Sequence, residues 1–140
     1  MSKIAIVFWS ATGNTEAMAQ AVESGAQEAG AQVSLFSASD FSADKVAGFD
    51  AIAFGCPAMG DEVLEEDEFQ PMFDSVLPAL NGKKVALFGS YGWGDGQWMR
   101  DWEQVCQNAG VVFACGCVTA NEAPGDEAID ACKKLGAALA

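Results

Sequence analysis

Apolar and polar segments alternate along the 140-residue chain with one repeating rhythm. Short apolar runs rich in Val, Ile, Ala and Phe predict five β-strands, at residues 3–9, 33–36, 51–55, 85–89 and 111–118. Helix-like sequence follows each strand and predicts helices at residues 15–29, 42–47, 69–80, 97–109 and 126–139. In the first of these helices, Ala17, Ala21, Val22 and Ala26 form an apolar stripe, and Gly30 is placed to end it.

This alternation of strands and helices predicts parallel strand pairing in one domain that spans residues 1–140. Because the strands are apolar throughout, helices should cover both faces of the sheet. We therefore expect an α/β fold with a doubly wound, five-stranded parallel sheet of order 2-1-3-4-5 and right-handed crossovers. Ligands of such sheets bind at the carboxyl ends of the strands beside the switch point, which here means the loops after strands 1, 3 and 4.

The loop after strand 1 is a run of small residues, Ser10-Ala11-Thr12-Gly13-Asn14-Thr15. Its hydroxyl groups, its backbone N–H groups and the N-terminus of the following helix predict a phosphate site without a cation. The alternative is that these residues only cap the helix, although a single cap accounts for one of them. All seven basic residues lie outside the three loops: Lys3, Lys45, Lys83, Lys84, Arg100, Lys133 and Lys134.

The loop after strand 4, Ser90-Tyr91-Gly92-Trp93-Gly94, sets two aromatic residues among glycines. Glycines allow the backbone to approach a flat ligand, and an aromatic ring can stack on its face, with Trp93 the favoured residue. We expect Trp98 and Trp102 to pack inward on their helix with Val105 and Ala109. Trp9 ends a strand and is expected to cover the core and not to contact a ligand.

An acidic run follows strand 3 and comprises Asp61, Glu62, Glu65, Glu66, Asp67 and Glu68. Runs of this kind usually form a solvated surface, but this one begins beside the predicted site, so its field should reach a ligand there. Over the whole chain, 20 acids against 7 bases give a net charge of −13. This charge disfavours binding to nucleic acid or to an anionic membrane.

Several kinds of chemistry are excluded by the residues that are missing from the sequence. The chain has no histidine, which removes His-based triads and His-ligated metals. The five cysteines are scattered without a C-x-x-C spacing, so buried packing is favoured over disulfides or zinc, and Cys115 and Cys117 are expected on one face of a strand. Neither a Walker motif nor G-x-G-x-x-G follows the first strand, and the phosphate loop lacks the Cys and Arg of a cysteine phosphatase.

The segments T-G-N-T-E, A-M-G-D-E and G-S-Y-G-W-G-D-G, in this order and spacing, resemble the flavodoxins, and in particular their short-chain group. The resemblance extends over essentially the whole chain and implies a non-covalently bound flavin mononucleotide (FMN). It implies that residues 10–15 bind the phosphate, that residues 59–62 line one side of the isoalloxazine ring, and that residues 90–94 line the other side, with Trp93 stacked on the ring. The full set of implied cofactor contacts is Ser10, Ala11, Thr12, Gly13, Asn14, Thr15, Pro57, Ala58, Met59, Gly60, Asp61, Glu62, Ser90, Tyr91, Gly92, Trp93, Gly94 and Asn121. Pro57 departs from the small hydroxyl residue usual there, and it offers neither a side-chain donor nor an N–H group to the ribityl chain.

This resemblance implies a low-potential one-electron carrier, not an enzyme, that shuttles mainly between the FMN semiquinone and hydroquinone. Gly60 has no Cβ, so its peptide can adopt positive φ and turn its carbonyl toward the flavin on reduction. Because the site is free of cations and acidic, the anionic hydroquinone should be disfavoured by on the order of 100 mV. The same acids should attract partner redox enzymes with basic docking patches. We expect a cytoplasmic monomer, since no apolar run is long enough to cross a bilayer and no leader sequence is evident.

Two other functions remain open at this stage. An FMN-dependent quinone or nitro reductase would share the fold, but it needs an open ring face that Trp93 would obstruct. A signalling domain of the response-regulator kind would need an acidic pair after strand 1 and an aspartate after strand 3, where the chain has Ser10-Ala11 and Gly55-Cys56.

Overall fold

The computed structural model of the protein describes residues 2–11, 13–60, 62–92 and 94–140. Its strands are β1 (Lys3–Phe8), β2 (Gln32–Ser37), β3 (Ala51–Gly55), β4 (Lys84–Tyr91), β5 (Val112–Phe113) and β6 (Val118–Asn121). Its α-helices are α1 (Asn14–Glu28), α2 (Phe69–Val76), α3 (Gln97–Asn108) and α4 (Asp126–Leu139). Short 3₁₀ segments occupy Ala38–Asp40, Ala43–Gly48 and Leu77–Leu80.

The strands form a parallel sheet of order β2-β1-β3-β4-β5, with β6 also paired to β4. This arrangement confirms the predicted α/β fold and strand order. Successive residues of β3 point to opposite faces of the sheet, so Ile52 and Phe54 enter one core while Ala51 and Ala53 enter the other. Helices α2 and α3 pack on the first core and helices α1 and α4 on the second, which covers both faces as predicted.

The prediction of one continuous fifth strand at residues 111–118 is wrong, because the strand is interrupted in its middle. Segment β5 pairs with Lys84 and Val85, whereas β6 pairs with residues 88–91 of β4. The residue numbers of two paired residues differ by 28 for Val85 and Phe113 but by 30 for Phe88 and Val118. Two extra residues therefore interrupt the strand. Cys115 and Cys117 lie in this interruption and pack against opposite cores, which contradicts the expectation that they share one strand face.

The helices also differ from the predictions in three places. The predicted helix at 42–47 is a 3₁₀ segment, and α2 is followed by 3₁₀ geometry around Pro78. Trp98 and Trp102 are buried as expected, but Val105 is 43% exposed and Cys106 takes the inward position. The buried face of α3 is formed by positions 98, 99, 102 and 106, and position 105 lies at the edge of this face.

No helix among the described residues is long and apolar enough to cross a membrane.

Candidate functional site

A cleft of about 490 Å³ opens at the carboxyl ends of β1, β3 and β4. Its volume is within the range of roughly 300–1,000 Å³ that is typical of small-molecule sites. The residues predicted from the sequence that line it are Ser10, Ala11, Asn14, Thr15, Pro57, Ala58, Met59, Ser90, Tyr91 and Gly92. The structure thus brings the three predicted loops together around one cavity.

Several predicted site residues do not line this cleft. Gly60, Glu62 and Asn121 line neighbouring surface pockets. Gly13 is hydrogen-bonded to Ser10, which lines the cleft, and Gly94 lies against the Glu62 carboxylate. Three further predictions, Thr12, Asp61 and Trp93, lie outside the described residues.

The first loop is held in shape by the side chain of Ser10. Its hydroxyl oxygen accepts hydrogen bonds from the N–H groups of Gly13, at 3.1 Å, and Glu16, at 3.3 Å. Gly13 has a φ of 91°, the left-handed conformation that leads the chain into α1. The first N–H groups of a helix have no partner within it, and in the described part of the chain those of Asn14 and Thr15 meet no acceptor. These two donors and the hydroxyl hydrogen of Ser10 suit an anionic oxygen.

A buried pair of hydroxyl groups joins this loop to β4. Thr15 Oγ1 and Ser90 Oγ are 3.1 Å apart, and the two residues are only 1% and 5% exposed. Only one of the two hydroxyls donates to the other. The hydroxyl that accepts this hydrogen bond keeps its own hydrogen to donate to a bound ligand.

The loop after β3 is tied to β4 and closed by a tight turn. The N–H of Ala58 donates to the Ser90 carbonyl at 3.0 Å. Met59 and Val63 then exchange two backbone hydrogen bonds of 2.8 and 3.0 Å across a turn in which Gly60 has a φ of 51°. Met59 therefore faces the cleft while Gly60 occupies the turn beside it.

Cys56 anchors the start of the same loop in the core. Its carbonyl accepts a hydrogen bond of 3.1 Å from Trp98 Nε1, and its Sγ accepts one of 3.4 Å from the N–H of Glu65. Burial raises the pKa of the Cys56 thiol to about 12, so it stays protonated and acts as a packed side chain.

Two acids of the run after β3 serve as structural acceptors. Oε1 of Glu62 accepts hydrogen bonds from the N–H groups of Gly96, at 3.2 Å, and Gln97, at 3.0 Å, and so caps the start of α3. Glu65 is only 5% exposed and accepts three N–H groups, from Asp67, Glu68 and Phe69, each at 2.8 Å. The run is therefore not a uniform solvated surface: of its five acids that the structure describes, Glu66, Asp67 and Glu68 are exposed, whereas Glu62 and Glu65 are not.

The pKa of Glu65 reflects two opposing effects. Burial alone would raise this pKa, but the three N–H donors of Phe69, Glu68 and Asp67 outweigh it, and the pKa lies below its ordinary value of 4.5. Glu65 is therefore ionised at neutral pH, and its negative charge stabilises the beginning of α2.

Sequence reasoning missed three residues that line the cleft, namely Trp9, Glu122 and Ala123. Trp9 packs against the core as predicted, but it also forms part of the cleft wall, and its Nε1 donates to Glu68 at 3.3 Å. Glu122 follows β6, and its N–H donates to the Tyr91 carbonyl at 2.7 Å. Had the last strand been extended to Asn121, its pairing with Tyr91 would have placed Glu122 at the cleft.

No basic residue occurs among the described residues that line the cleft, whereas Glu122 contributes an acid. Two basic side chains elsewhere are engaged with other groups: Arg100 pairs with Asp95 at 2.8 Å, and Lys83 donates to the Phe49 carbonyl at 2.7 Å. The donors that the cleft offers to an anionic group are thus N–H and hydroxyl groups, while Trp9, Met59 and Tyr91 offer apolar surface to a flat ring.

We predict that Glu65→Gln lowers the free energy of unfolding by about 1–3 kcal/mol at pH 7, because the amide has one acceptor oxygen and no charge for three N–H donors. Since the pKa of Glu65 is lowered in the folded state, its contribution is complete above pH 4.5 and is lost as the pH falls through the lowered pKa. Urea unfolding between pH 7 and pH 3 measures this difference. The exposed neighbour Glu66→Gln is the matched control, and an equal effect of both substitutions at pH 7 contradicts the capping role.

Comparison with known proteins agrees with this geometry. A family model described as Flavodoxin matches residues 6–136. The chain is 48% identical to the flavodoxin of Megasphaera elsdenii over 98% of each chain, and 47% identical to that of Clostridium beijerinckii over 96% of this chain and 97% of the relative. The solution structure of two-electron reduced Megasphaera elsdenii flavodoxin superposes with a TM-score of 0.90 at 48% identity, covering 97% of each chain. An archaeal flavodoxin superposes with a TM-score of 0.85 at 28% identity, covering 98% of this chain and 95% of that chain.

The residues of the cleft fit a flavin mononucleotide, with donors for its phosphate and apolar walls for its ring, and the family match covers nearly the whole chain. The chain therefore belongs to the flavodoxin family, whose members are FMN-binding proteins of electron transport.

Proposed function

We propose that the protein is a low-potential one-electron carrier, not an enzyme, whose FMN shuttles mainly between the semiquinone and hydroquinone states. The observation that carries this proposal is the charge of the site. Among the described residues, the lining of the cleft has no basic side chain. Its negative charge comes from Glu122 in the lining and from acids of the adjacent loop.

In this proposal the loop at residues 10–15 holds the FMN phosphate. The donors that support it are the N–H groups of Asn14 and Thr15 and the hydroxyl hydrogen of Ser10. Residues 57–59 and 90–92 hold the ribityl chain and the ring, and Thr12, Asp61 and Trp93 complete the proposed set. Pro57 has no N–H group, and that of Ala58 is bound to Ser90, so this loop contributes shape and apolar surface at those two positions.

The bound FMN supplies the electron-transfer chemistry, and the protein sets the potential through its charges. A carboxylate ~10 Å from the ring, at an effective dielectric of ~40, opposes an added negative charge by about 0.8 kcal/mol, or roughly 35 mV for one electron. Glu66 and Asp67 are suited to this role because they are exposed, belong to the loop next to Met59, and cap no helix. Glu62 and Glu65 also carry charge, but their removal disturbs the capped helices.

The acidic surface also bears on how the protein meets its partners. With a net charge of −13, its long-range field attracts redox enzymes that present basic docking patches, and mutual repulsion keeps the chain monomeric. Such a carrier works in the cytoplasm, as one domain over residues 1–140, with neither nucleic acid nor membrane as a partner.

We predict that the double substitution Glu66→Gln and Asp67→Asn raises the lower of the two FMN potentials by about 70 mV at low salt, twice the single-charge value, and by less at high salt. Potentiometric titration of the FMN-loaded protein measures this shift. Glu23→Gln with Glu28→Gln, in the later turns of α1, is a control with the same change in charge. Equal potentials in the double variant and the wild type, or an equal shift in the control, contradict the role assigned to the loop.

Gly60 is the second element of the proposal, because without a Cβ its peptide can turn its carbonyl toward the cofactor on reduction. The φ of 51° and the open space where a Cβ would lie mean that a substitution acts through the backbone and not through a clash. A β-branched residue is strained at this φ by about 1–2 kcal/mol.

We therefore predict that Gly60→Val lowers the formation constant of the one-electron-reduced form about tenfold, which corresponds to about 1.4 kcal/mol. The maximum yield of this form falls accordingly. Absorbance during stepwise anaerobic reduction gives this yield. Gly48→Val, at a position with open space and ordinary φ, is the control. An unchanged yield in Gly60→Val removes Gly60 from the proposal.

A further inference from the structure

A surface hollow, separate from the cofactor cleft, lies where the loop after β3 meets α2 and α3. Its volume is about 160 Å³ and it shares no lining residue with the cleft. The buried side chains of Leu64, Phe73, Trp98 and Trp102 contribute to its walls. At this hollow the apolar core therefore lies close to solvent.

Two exposed valines flank the hollow. Val63 and Val105 belong to its lining and are 41% and 43% exposed. In the described part of the chain one other large apolar side chain is comparably exposed, that of Val112 on β5, and it does not line the hollow. Exposed apolar side chains that are clustered, and not scattered singly, mark contact sites with other proteins.

Carboxylates surround the apolar centre of the hollow. Glu62 and Asp101 line it, and the Gln70 amide, which is also in the lining, donates to Asp74 at 2.8 Å. The described lining has no basic side chain, and Arg100, the one base of α3, is already paired with a carboxylate. An apolar centre with a negative rim complements an apolar side chain that stands among lysines or arginines.

One short turn joins the hollow to the cofactor cleft. Met59, which lines the cleft, exchanges two backbone hydrogen bonds with Val63, which lines the hollow. A protein that is seated in the hollow is therefore held beside the cleft.

Volume and charge define the occupant. Cavities of about 150 Å³ hold a benzene-sized molecule, so the hollow has room for one leucine or methionine side chain. The net charge of −13 opposes a second copy of this chain as the partner.

We propose that this hollow is the docking point for redox partners, each of which inserts one aliphatic side chain flanked by lysine or arginine. This docking role rests on the proposed electron-transfer function, because a redox partner is the kind of protein that gains from contact beside the cofactor. The rim carboxylates attract and orient the partner, and the inserted side chain supplies the apolar contact that holds it.

Two peptides of equal charge test the aliphatic anchor: acetyl-Lys-Lys-Leu-Lys-Lys-amide and the same peptide with serine in place of leucine. Each is titrated into oxidised, FMN-loaded, ¹⁵N-labelled protein while backbone and indole N–H signals are recorded. We expect the leucine peptide to bind on the order of fivefold more tightly, because its leucine is partly buried in the hollow. Its saturable shifts should centre on Leu64, Val105 and the Trp98 indole N–H.

A pair of valine variants separates the hollow from general apolar contact. Val105→Ser removes one apolar flank and should abolish the preference for the leucine peptide without changing the affinity for the serine peptide. Val112→Ser, at the exposed valine outside the hollow, is the matched control and should keep the preference. The proposal is overturned if the two peptides bind the wild type equally, if the shifts centre on another surface, or if the two variants behave alike.

Electron transfer to cytochrome c, a basic redox protein, tests whether an electron acceptor uses the same surface. At equal concentration, the leucine peptide should slow this transfer up to about fivefold more than the serine peptide, in proportion to its tighter binding. Equal slowing by both peptides also overturns the docking role. The peptide titrations use the oxidised protein, so their result is independent of whether a radical forms on reduction, and the two proposals can fail separately.

Discussion

The loop after β3 is fixed by carboxylates that accept backbone N–H groups, and the rest of the site depends on this arrangement. Glu62 joins the loop to the start of α3, and Glu65 folds it onto the start of α2. Each carboxylate meets N–H groups that a helix leaves unpaired at its N-terminus, so charge and backbone dipole stabilise each other. The loop is acidic because these carboxylates hold its fold, and it lies directly beside the cofactor cleft.

This construction gives the cleft its electrostatic character. The opposite wall comes from the loop at residues 10–15, where Ser10 holds the turn and Thr15 is bonded to Ser90. N–H and hydroxyl donors suffice for a phosphate, so no lysine or arginine is needed there. In the proposed function, a phosphate is thus held without positive charge near the ring, and electrons added to the cofactor meet mostly negative surroundings.

The sequence predicted the sheet well because its strands are buried on both faces and therefore read as continuous apolar runs. Strands β1, β3 and β4 were located to within two residues, and with them the three loops that form the cleft. The interruption of the fifth strand was not predictable, since it depends on the register with β4 and not on local composition. For the same reason Glu122 was missed. The structural roles of Glu62 and Glu65 were also hidden, because Glu62 binds N–H groups 34 and 35 residues away and the burial of Glu65 follows from tertiary packing.

We propose that this site favours one-electron chemistry at low potential, and absorbance recorded during stepwise anaerobic reduction is the decisive experiment. We expect the yellow protein to pass through a long-wavelength radical absorption before it bleaches, with the second potential well below the first. Direct bleaching without a radical would be the opposite result, and it would make a hydride-transferring reductase the better explanation of the same fold.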